Sequence, residues 1–216
     1  MSRLIVVLLG PPGAGKGTLG ARLSEQLGLP HVSTGELFRS EVRNNTNVGR
    51  QVRNTLSSGQ LVPDEITNQM VRRRLDETDC AGGALMDGYP RTVAQMIAFD
   101  QFAPVTVVLG LLIQDEEIVR RLSGRLTCSS CSAIYHIDRQ PPARTEICDN
   151  CGADVAQRAD DHPDAVAARL RVYHTQTEGL ERLFRERGVL RNVDATDSPD
   201  EVLQSSLAML SAVATS

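Results

Sequence analysis

The chain has 216 residues, 41% of them hydrophobic, with 27 acidic and 23 basic side chains and a formal net charge of −4. That length supports one sizeable core with room for small inserted subdomains. The acidic balance speaks against a general nucleic-acid binder and no apolar run reaches the length of a membrane span, so a soluble cytoplasmic protein is expected.

Leu4 to Leu9 is a continuous apolar run that ends in glycine and proline, as a fully buried parallel strand does. Arg3 gives it the look of a secretory signal, but the run is too short and passes straight into Gly10-Pro11-Pro12 and Lys16. Thr18 to Leu27 has helical spacing through Leu19, Leu23 and Leu27. Ser33-Thr34-Gly35-Glu36 reads as a capping box that opens a second helix, and Pro63-Asp64-Glu65 puts proline and acids in the first turn of another. Ala84 to Met86 and Val105 to Leu112 are strand candidates, followed by a helix over Asp115 to Ser123. Val166, Leu170 and Tyr173 mark a long amphipathic helix, Val189 to Val193 a last short strand, and Ser198-Pro199-Asp200-Glu201 the cap of a final helix. This alternation predicts an α/β fold with a parallel sheet. The segment from about Gly124 to Asp161 breaks it and reads as an insert.

Gly10-Pro11-Pro12-Gly13-Ala14-Gly15-Lys16-Gly17-Thr18 joins the buried run to the first helix. Small residues let backbone N–H groups face phosphate oxygens, and a helix N-terminus adds a favourable dipole. Lys16 is the one lysine among the 23 basic residues. GC-rich codon bias explains so much arginine, but not a single lysine kept inside a glycine-rich loop. A site that needs a compact ammonium on a flexible stem does explain it. Gly17, not Ser or Thr, follows the lysine, which leaves open whether a hydroxyl ligates Mg2+ directly. Asp87, at the end of an expected strand, is the candidate for holding Mg2+ through water.

Cys128, Cys131, Cys148 and Cys151 form C-x2-C-x16-C-x2-C, the spacing of a tetrahedral Zn2+ site. Four thiolates leave no open position, so the metal should be structural; iron or cobalt would suit the same donors. Two disulfides are the rival and do not suit the cytosol. Cys80 reads as a small buried hydrophobe, His136 as a hydrogen-bonding residue of the insert, and His162 as no ligand.

Further stretches are Ser33-Thr34-Gly35-Glu36-Leu37-Phe38-Arg39, Gly59 to Glu65, Met86-Asp87-Gly88-Tyr89-Pro90-Arg91-Thr92 with Gln95, Ser123-Gly124-Arg125, and Arg158-Ala159-Asp160-Asp161. In this order and spacing the chain resembles the adenylate kinases over nearly its whole length. The resemblance implies a P-loop NTPase-type core with a five-stranded parallel sheet (residues 1–33, 63–123 and 162–216), an AMP-binding flap (34–62) and a zinc-binding lid (124–161). It implies the reaction ATP + AMP = 2 ADP with Mg2+, in a cytoplasmic monomer. By that resemblance Thr34, Arg39, Gln60, Leu61, Val62, Gly88, Tyr89, Pro90, Arg91 and Gln95, with Arg158 and Arg169, hold AMP. Gly13, Ala14, Gly15, Lys16, Gly17, Thr18, Arg121, Arg125, Ile134, Tyr135 and Asp197 hold ATP. Lys16, Arg91, Arg125, Arg158, Asp160, Asp161 and Arg169 line the transfer path. Tyr89 stands where Phe is more usual, harmless if the ring only packs. Ala195-Thr196-Asp197 lacks the Gly and the Lys or Gln often found there.

The chemistry points the same way without the family. Joining two polyanions calls for positioning and charge neutralisation, and an ionised phosphate acceptor needs no strong base. Guanidiniums supply bidentate hydrogen bonds for this, although most of the arginines, including Arg72 to Arg74 and Arg182, Arg185 and Arg187, should be solvated surface charges. Two other readings stand beside it: a UMP or CMP kinase, against which the long insert speaks, and a zinc-ribbon nucleic-acid binder with an ATP switch, against which the acidic balance and the lack of aromatics near the cysteines speak.

Overall fold

A computed structural model describes residues 3–214. In chain order they form β1 (Leu4–Leu9), α1 (Lys16–Leu27), β2 (His31–Ser33), α2 (Thr34–Arg43), α3 (Asn47–Ser57), α4 (Asp64–Leu75), β3 (Gly83–Asp87), α5 (Val93–Asp100), β4 (Val107–Leu112) and α6 (Asp115–Ser123). Then come β5 (Arg125–Cys128), β6 (Ile134–His136), β7 (Val155–Ala156), α7 (Pro163–Val172), α8 (Gly179–Glu186), β8 (Leu190–Asp194) and α9 (Pro199–Ala214). Among them no helix is long and apolar enough to cross a membrane.

The main sheet is parallel, with five strands in the order β2-β3-β1-β4-β8. Residues of β1 alternate between two cores, as the pleat requires. Ile5, Val7 and Leu9 pack with Val71, Tyr89, Phe99 and Phe184, while Val6 and Leu8 pack with Leu19, Leu23, Leu109 and Leu203. Because β1 is flanked by β3 and β4, the chain order reverses at its C-terminal end. That is where an open α/β sheet leaves a ligand crevice, and it is where the glycine-rich loop, Thr34, Asp87 and the residues after β4 and β8 converge.

Two smaller units stand over this edge. Phe38, Val52, Val62 and Met70 form a cluster of their own from α2, α3, the segment before α4 and the middle of α4. β5 pairs antiparallel with both β6 and β7, enclosing Cys128, Tyr135, Cys148 and Val155.

Local signals and structure differ in two places. The box expected at Ser33 does not form: Ser33 makes no side-chain cap bond, and Glu36 is drawn instead to Arg39 (3.1 Å) and Arg43 (2.7 Å). Charge-assisted bonds outcompete the weaker cap. The box at Ser198 does form, with Ser198 N donating to Glu201 Oε2 (3.0 Å) and Glu201 N to Ser198 Oγ (3.3 Å). The long helix expected through Tyr173 ends at Val172; a π-helical turn over Tyr173–Thr177 separates it from α8. There the Thr177 hydroxyl donates to Arg91 O (3.0 Å), a tertiary bond that no local pattern encodes.

Candidate active site

The loop between β1 and α1 curls around its lysine. Gly13 has φ 81°, and a Cβ there would meet Leu122 Cγ at 2.9 Å, so only glycine fits. Lys16 opens α1 and folds back, its Nζ donating to Gly10 O and Pro11 O at 2.7 Å each. Burial pushes its ammonium down to about 7; Asp87 opposes this, while Arg91, Arg169 and Arg125 add to it. Beside it the Asp87 carboxyl would rise on burial, but His31 and Lys16 hold it at about 2. His31 Nε2 stands 3.5 Å from Asp87 Oδ2, an ion-pair distance too long for a good hydrogen bond, and makes no other bond. A permanently charged Asp87 next to the loop fits a carboxylate that holds hydrated Mg2+.

Arg91, Arg169 and Arg125 all act on the charge of this lysine, and Arg158 lies beside Arg125. Arg91 is anchored through Nε to Gly88 O (2.8 Å) and through its backbone N to Gln95 Oε1 (2.7 Å). Arg125, the first residue of β5, donates through Nε to Asp161 Oδ2 (2.7 Å). Arg169 on α7 reaches Asp161 Oδ1 (3.1 Å) and Asp160 O (2.9 Å). Asp161, 1% exposed, is therefore the carboxylate that ties the insert's Arg125 to the core's Arg169. Arg158 is pushed down to about 9 by burial and by Arg39 and Arg125, and its Nε has no partner. Burial and neighbouring guanidiniums also lower Arg91 and Arg169. Asp160 is depressed despite its burial, by Arg169, Arg39, Arg125 and Arg158. So many buried cations around two carboxylates make a site of strong positive potential, suited to polyanions.

A pocket lined by Thr34, Gly35, Phe38, Leu56, Gln60, Leu61, Val62, Thr67, Gly88, Arg91 and Gln95 opens onto this cluster from the α2–α3 side. Thr34 donates to Gly88 O (2.9 Å). Gly88 has φ 78°, and a Cβ on it would come within 2.7 Å of Arg91 Nη2. Tyr89 and Pro90, expected at this pocket, are buried instead. The Tyr89 ring is fully buried against Phe99, and its hydroxyl donates to Asn68 Oδ1 (2.7 Å) and lies 3.2 Å from Gln95 O. The extra hydroxyl relative to Phe is thus hydrogen-bonded rather than merely packed. Gly35, Phe38, Leu56 and Thr67 are pocket residues that sequence reasoning missed; the first three lie within the expected flap, whereas Thr67 comes from α4 outside it.

On the opposite side Arg121 donates to Glu117 Oε1 and to Ala195 O, both at 2.8 Å, joining α6 to the loop after β8. Asp197 is exposed in that loop. Ile134 of β6 reaches the glycine-rich loop, its Cδ1 lying 3.6 Å from where a Gly17 Cβ would be. Tyr135 turns its side chain inward, so only its backbone is available to a ligand.

The Sγ atoms of Cys128, Cys131, Cys148 and Cys151 lie within 4.8 Å of one another. A tetrahedron of Zn–S bonds of about 2.3 Å has edges of about 3.8 Å, so the cage is metal-sized. Backbone N–H groups of Ser130 and Cys131 point at Cys128 Sγ at 3.4 Å, and the Tyr135 hydroxyl lies 3.4 Å from Cys148 Sγ. The Ala133 backbone favours the Cys131 thiolate, but burial and the neighbouring sulfurs push it up to about 12. Four thiolates this close would repel one another, and a cation between them would remove that repulsion. His136 accepts from the Asp138 and Arg139 backbone (3.2 and 3.3 Å) and is no ligand, and His162 is exposed at the start of α7.

A family model described as adenylate kinase matches residues 8–189. An adenylate kinase of Thermoanaerobacter sp. is 42% identical over 204 residues, covering 92% of this chain and 94% of that one. One from Anaeromyxobacter dehalogenans is 43% identical over 205 residues (93% and 96%), and one from Methanosarcina acetivorans 43% over 210 residues (95% and 97%). With the phosphate loop, the buried arginines and the pocket beside them already in place, these matches show that the chain belongs to the adenylate kinase family.

Proposed function

We propose that this adenylate kinase moves the γ-phosphoryl group of MgATP to AMP in the cleft between the glycine-rich loop and the Thr34–Gln95 pocket. The convergence of Lys16, Arg91, Arg125, Arg158 and Arg169 between these two walls carries the reading. ATP phosphates take the loop's N–H groups and Lys16 Nζ, with the base towards Arg121 and the Ala195–Asp197 loop. AMP takes the pocket, its phosphate on Arg39 and Arg91. The arginines neutralise the equatorial oxygens as charge redistributes, and no general base is needed because the acceptor phosphate is already ionised. Asp87 would hold Mg2+, which would supply further charge neutralisation on the ATP phosphates. Asp160 and Asp161 do not touch substrate; they aim Arg125 and Arg169.

Residues 34–62 act as the AMP flap and 124–161 as the lid, the lid's cysteines holding Zn2+ with iron or cobalt as the alternatives. A reducing cytoplasm suits those thiolates, and the chain works as a monomer without nucleic acid or membrane. A coupled assay of ADP formation from ATP with AMP, UMP, CMP and GMP in turn tests the function. AMP should be strongly preferred; equal or faster turnover of UMP or CMP would overturn it.

A further inference from the structure

The pocket proposed for AMP contains one side-chain amide at its buried end, Gln95, which is 2% exposed. Both of its polar atoms are already partly committed. Gln95 Oε1 accepts from the Arg91 backbone N–H (2.7 Å), and Gln95 Nε2 donates to Asp64 Oδ1 (2.7 Å). The second oxygen of Asp64 accepts from Thr92 Oγ1 (3.0 Å), and Thr92 Oγ1 in turn accepts from Gln95 N (3.1 Å) at the start of α5. Asp64, Thr92 and Gln95 therefore close a ring of hydrogen bonds joining the first turn of α4 to that of α5.

The ring has a chemical consequence. A backbone N–H only donates and a carboxylate only accepts. Rotating the amide by half a turn would set Nε2 against the Arg91 N–H and Oε1 against the Asp64 carboxylate, leaving two buried mismatches. The amide is thus held in one orientation, with one lone pair on oxygen and one hydrogen on nitrogen unused. One free lone pair and one free hydrogen are what a primary amide needs to offer a bidentate edge. Adenine presents a ring-nitrogen acceptor beside an exocyclic amino donor, which this edge satisfies. Hypoxanthine and guanine present the reverse, a ring N–H beside a carbonyl, which only the rotated amide could satisfy.

We propose that Asp64 sets the base specificity of the monophosphate site by locking the Gln95 amide in the orientation that pairs with a 6-aminopurine. This deepens the reading of the pocket as the AMP site and rests on it. Asp64 is a positioning residue: it lies behind Gln95 and acts through it.

Asparagine at this position can donate as well as accept, so it removes the mismatch at Asp64 while keeping shape and leaves only the Arg91 N–H against the rotated amide. The intact enzyme and Asp64→Asn should be compared with AMP and IMP as acceptors at saturating ATP. The kcat/KM preference for AMP over IMP should narrow by about tenfold or more, since a buried unpaired polar group at a recognition site gives discrimination of this order. The change should fall in KM for IMP, because the base is remote from the reacting phosphates. A ratio unchanged by Asp64→Asn overturns the proposal. If the intact enzyme itself takes IMP as well as AMP, it is the AMP reading of the pocket that fails. Gln95→Met provides the second arm and guards against a misfolded variant: it should erase the preference, and adding Asp64→Asn to it should change the ratio no further. A further change in that background would show that Asp64 acts elsewhere and overturn the lock.

Discussion

Lys16 is more than the loop's positive charge. Its Nζ caps Gly10 O and Pro11 O while sitting among guanidiniums that disfavour its protonation. Two outcomes follow. Lys16→Arg should lose most turnover although charge is kept, because a planar fork cannot take the place of an ammonium folded between two carbonyls; near-normal kcat would contradict this. The second concerns pH. With its ammonium pushed down to about 7, Lys16 is mostly neutral at pH 8. A bound polyphosphate favours the charged form and raises its pKa, so ATP binding at pH 8 should take up protons and ATP affinity should fall as pH rises above 7. Calorimetry in two buffers of different ionisation enthalpy measures this uptake. Buffer-independent heats, or unchanged uptake in Lys16→Met, would refute it. Arg73, paired with Glu41, and Arg187, paired with Asp100, lie near solvent as their sequence positions suggested, whereas Arg74, expected as a solvated charge, is mostly covered and held by Asp79 and Cys80.

Among the elements, the small β5–β7 sheet depends most on something outside its own chain. Its buried cluster is Cys128, Tyr135, Cys148 and Val155, with Ile134, Ile137 and Ile147 exposed. So little apolar burial cannot stabilise a unit of this size, and metal binding energy then becomes folding energy. Cys128→Ser should lower metal content and the melting temperature of this unit first, and activity mainly at temperatures where it melts. Metal analysis, and thermal unfolding followed against activity at several temperatures, would decide. Equal loss of activity at every temperature with the sheet still folded would indicate a catalytic metal instead. The cage was legible in the sequence because four ligands at fixed spacing form a local pattern. The break between α7 and α8 was not, since the apolar period runs on through Tyr173 and Leu180 while the π turn is held by bonds to Arg91 and Glu181.

At the scale of the molecule the insert lies against both walls of the cleft. Arg139 of the insert donates to Glu117 Oε1 (3.1 Å), the same oxygen that accepts from Arg121 (2.8 Å). Ser132 reaches Glu36 on α2, and Gln157 Nε2 donates to Ser123 O (3.3 Å). Three arginines hold the Glu117 carboxyl at about 2 against the opposing effect of burial, so it stays charged across the working pH range. These contacts describe a closed arrangement, which a bisubstrate analogue spanning both nucleotide sites should populate further. Fluorescence distances between insert and core should shorten on its binding, and constant distances would rule out lid motion. Arg139→Ala should speed opening at low salt and lose that effect at high salt, because an exposed ion pair is screened. Stopped-flow fluorescence at two ionic strengths reads this directly, and an effect insensitive to salt would exclude the charge pair as the latch.

What the sequence determined by itself is what short-range spacing can encode. The buried run, glycines and lysine specify a phosphate loop because backbone conformation and helix start are set within about ten residues. The cysteine pairs specify a metal cage for the same reason, and the alternation of periods specifies a parallel sheet. The tertiary structure alone decided which acceptor each long side chain reaches. Asp161 meets Arg125 from 36 residues away, Arg121 meets Ala195 across 74, and Gln95 meets Asp64 across 31. Any of the chain's carboxylates and carbonyls could serve a guanidinium or an amide chemically. Only the packing of α4 against α5, of α6 against the loop after β8, and of the insert over the cleft selects among them, because a good hydrogen bond needs both a short donor–acceptor distance and a near-linear angle.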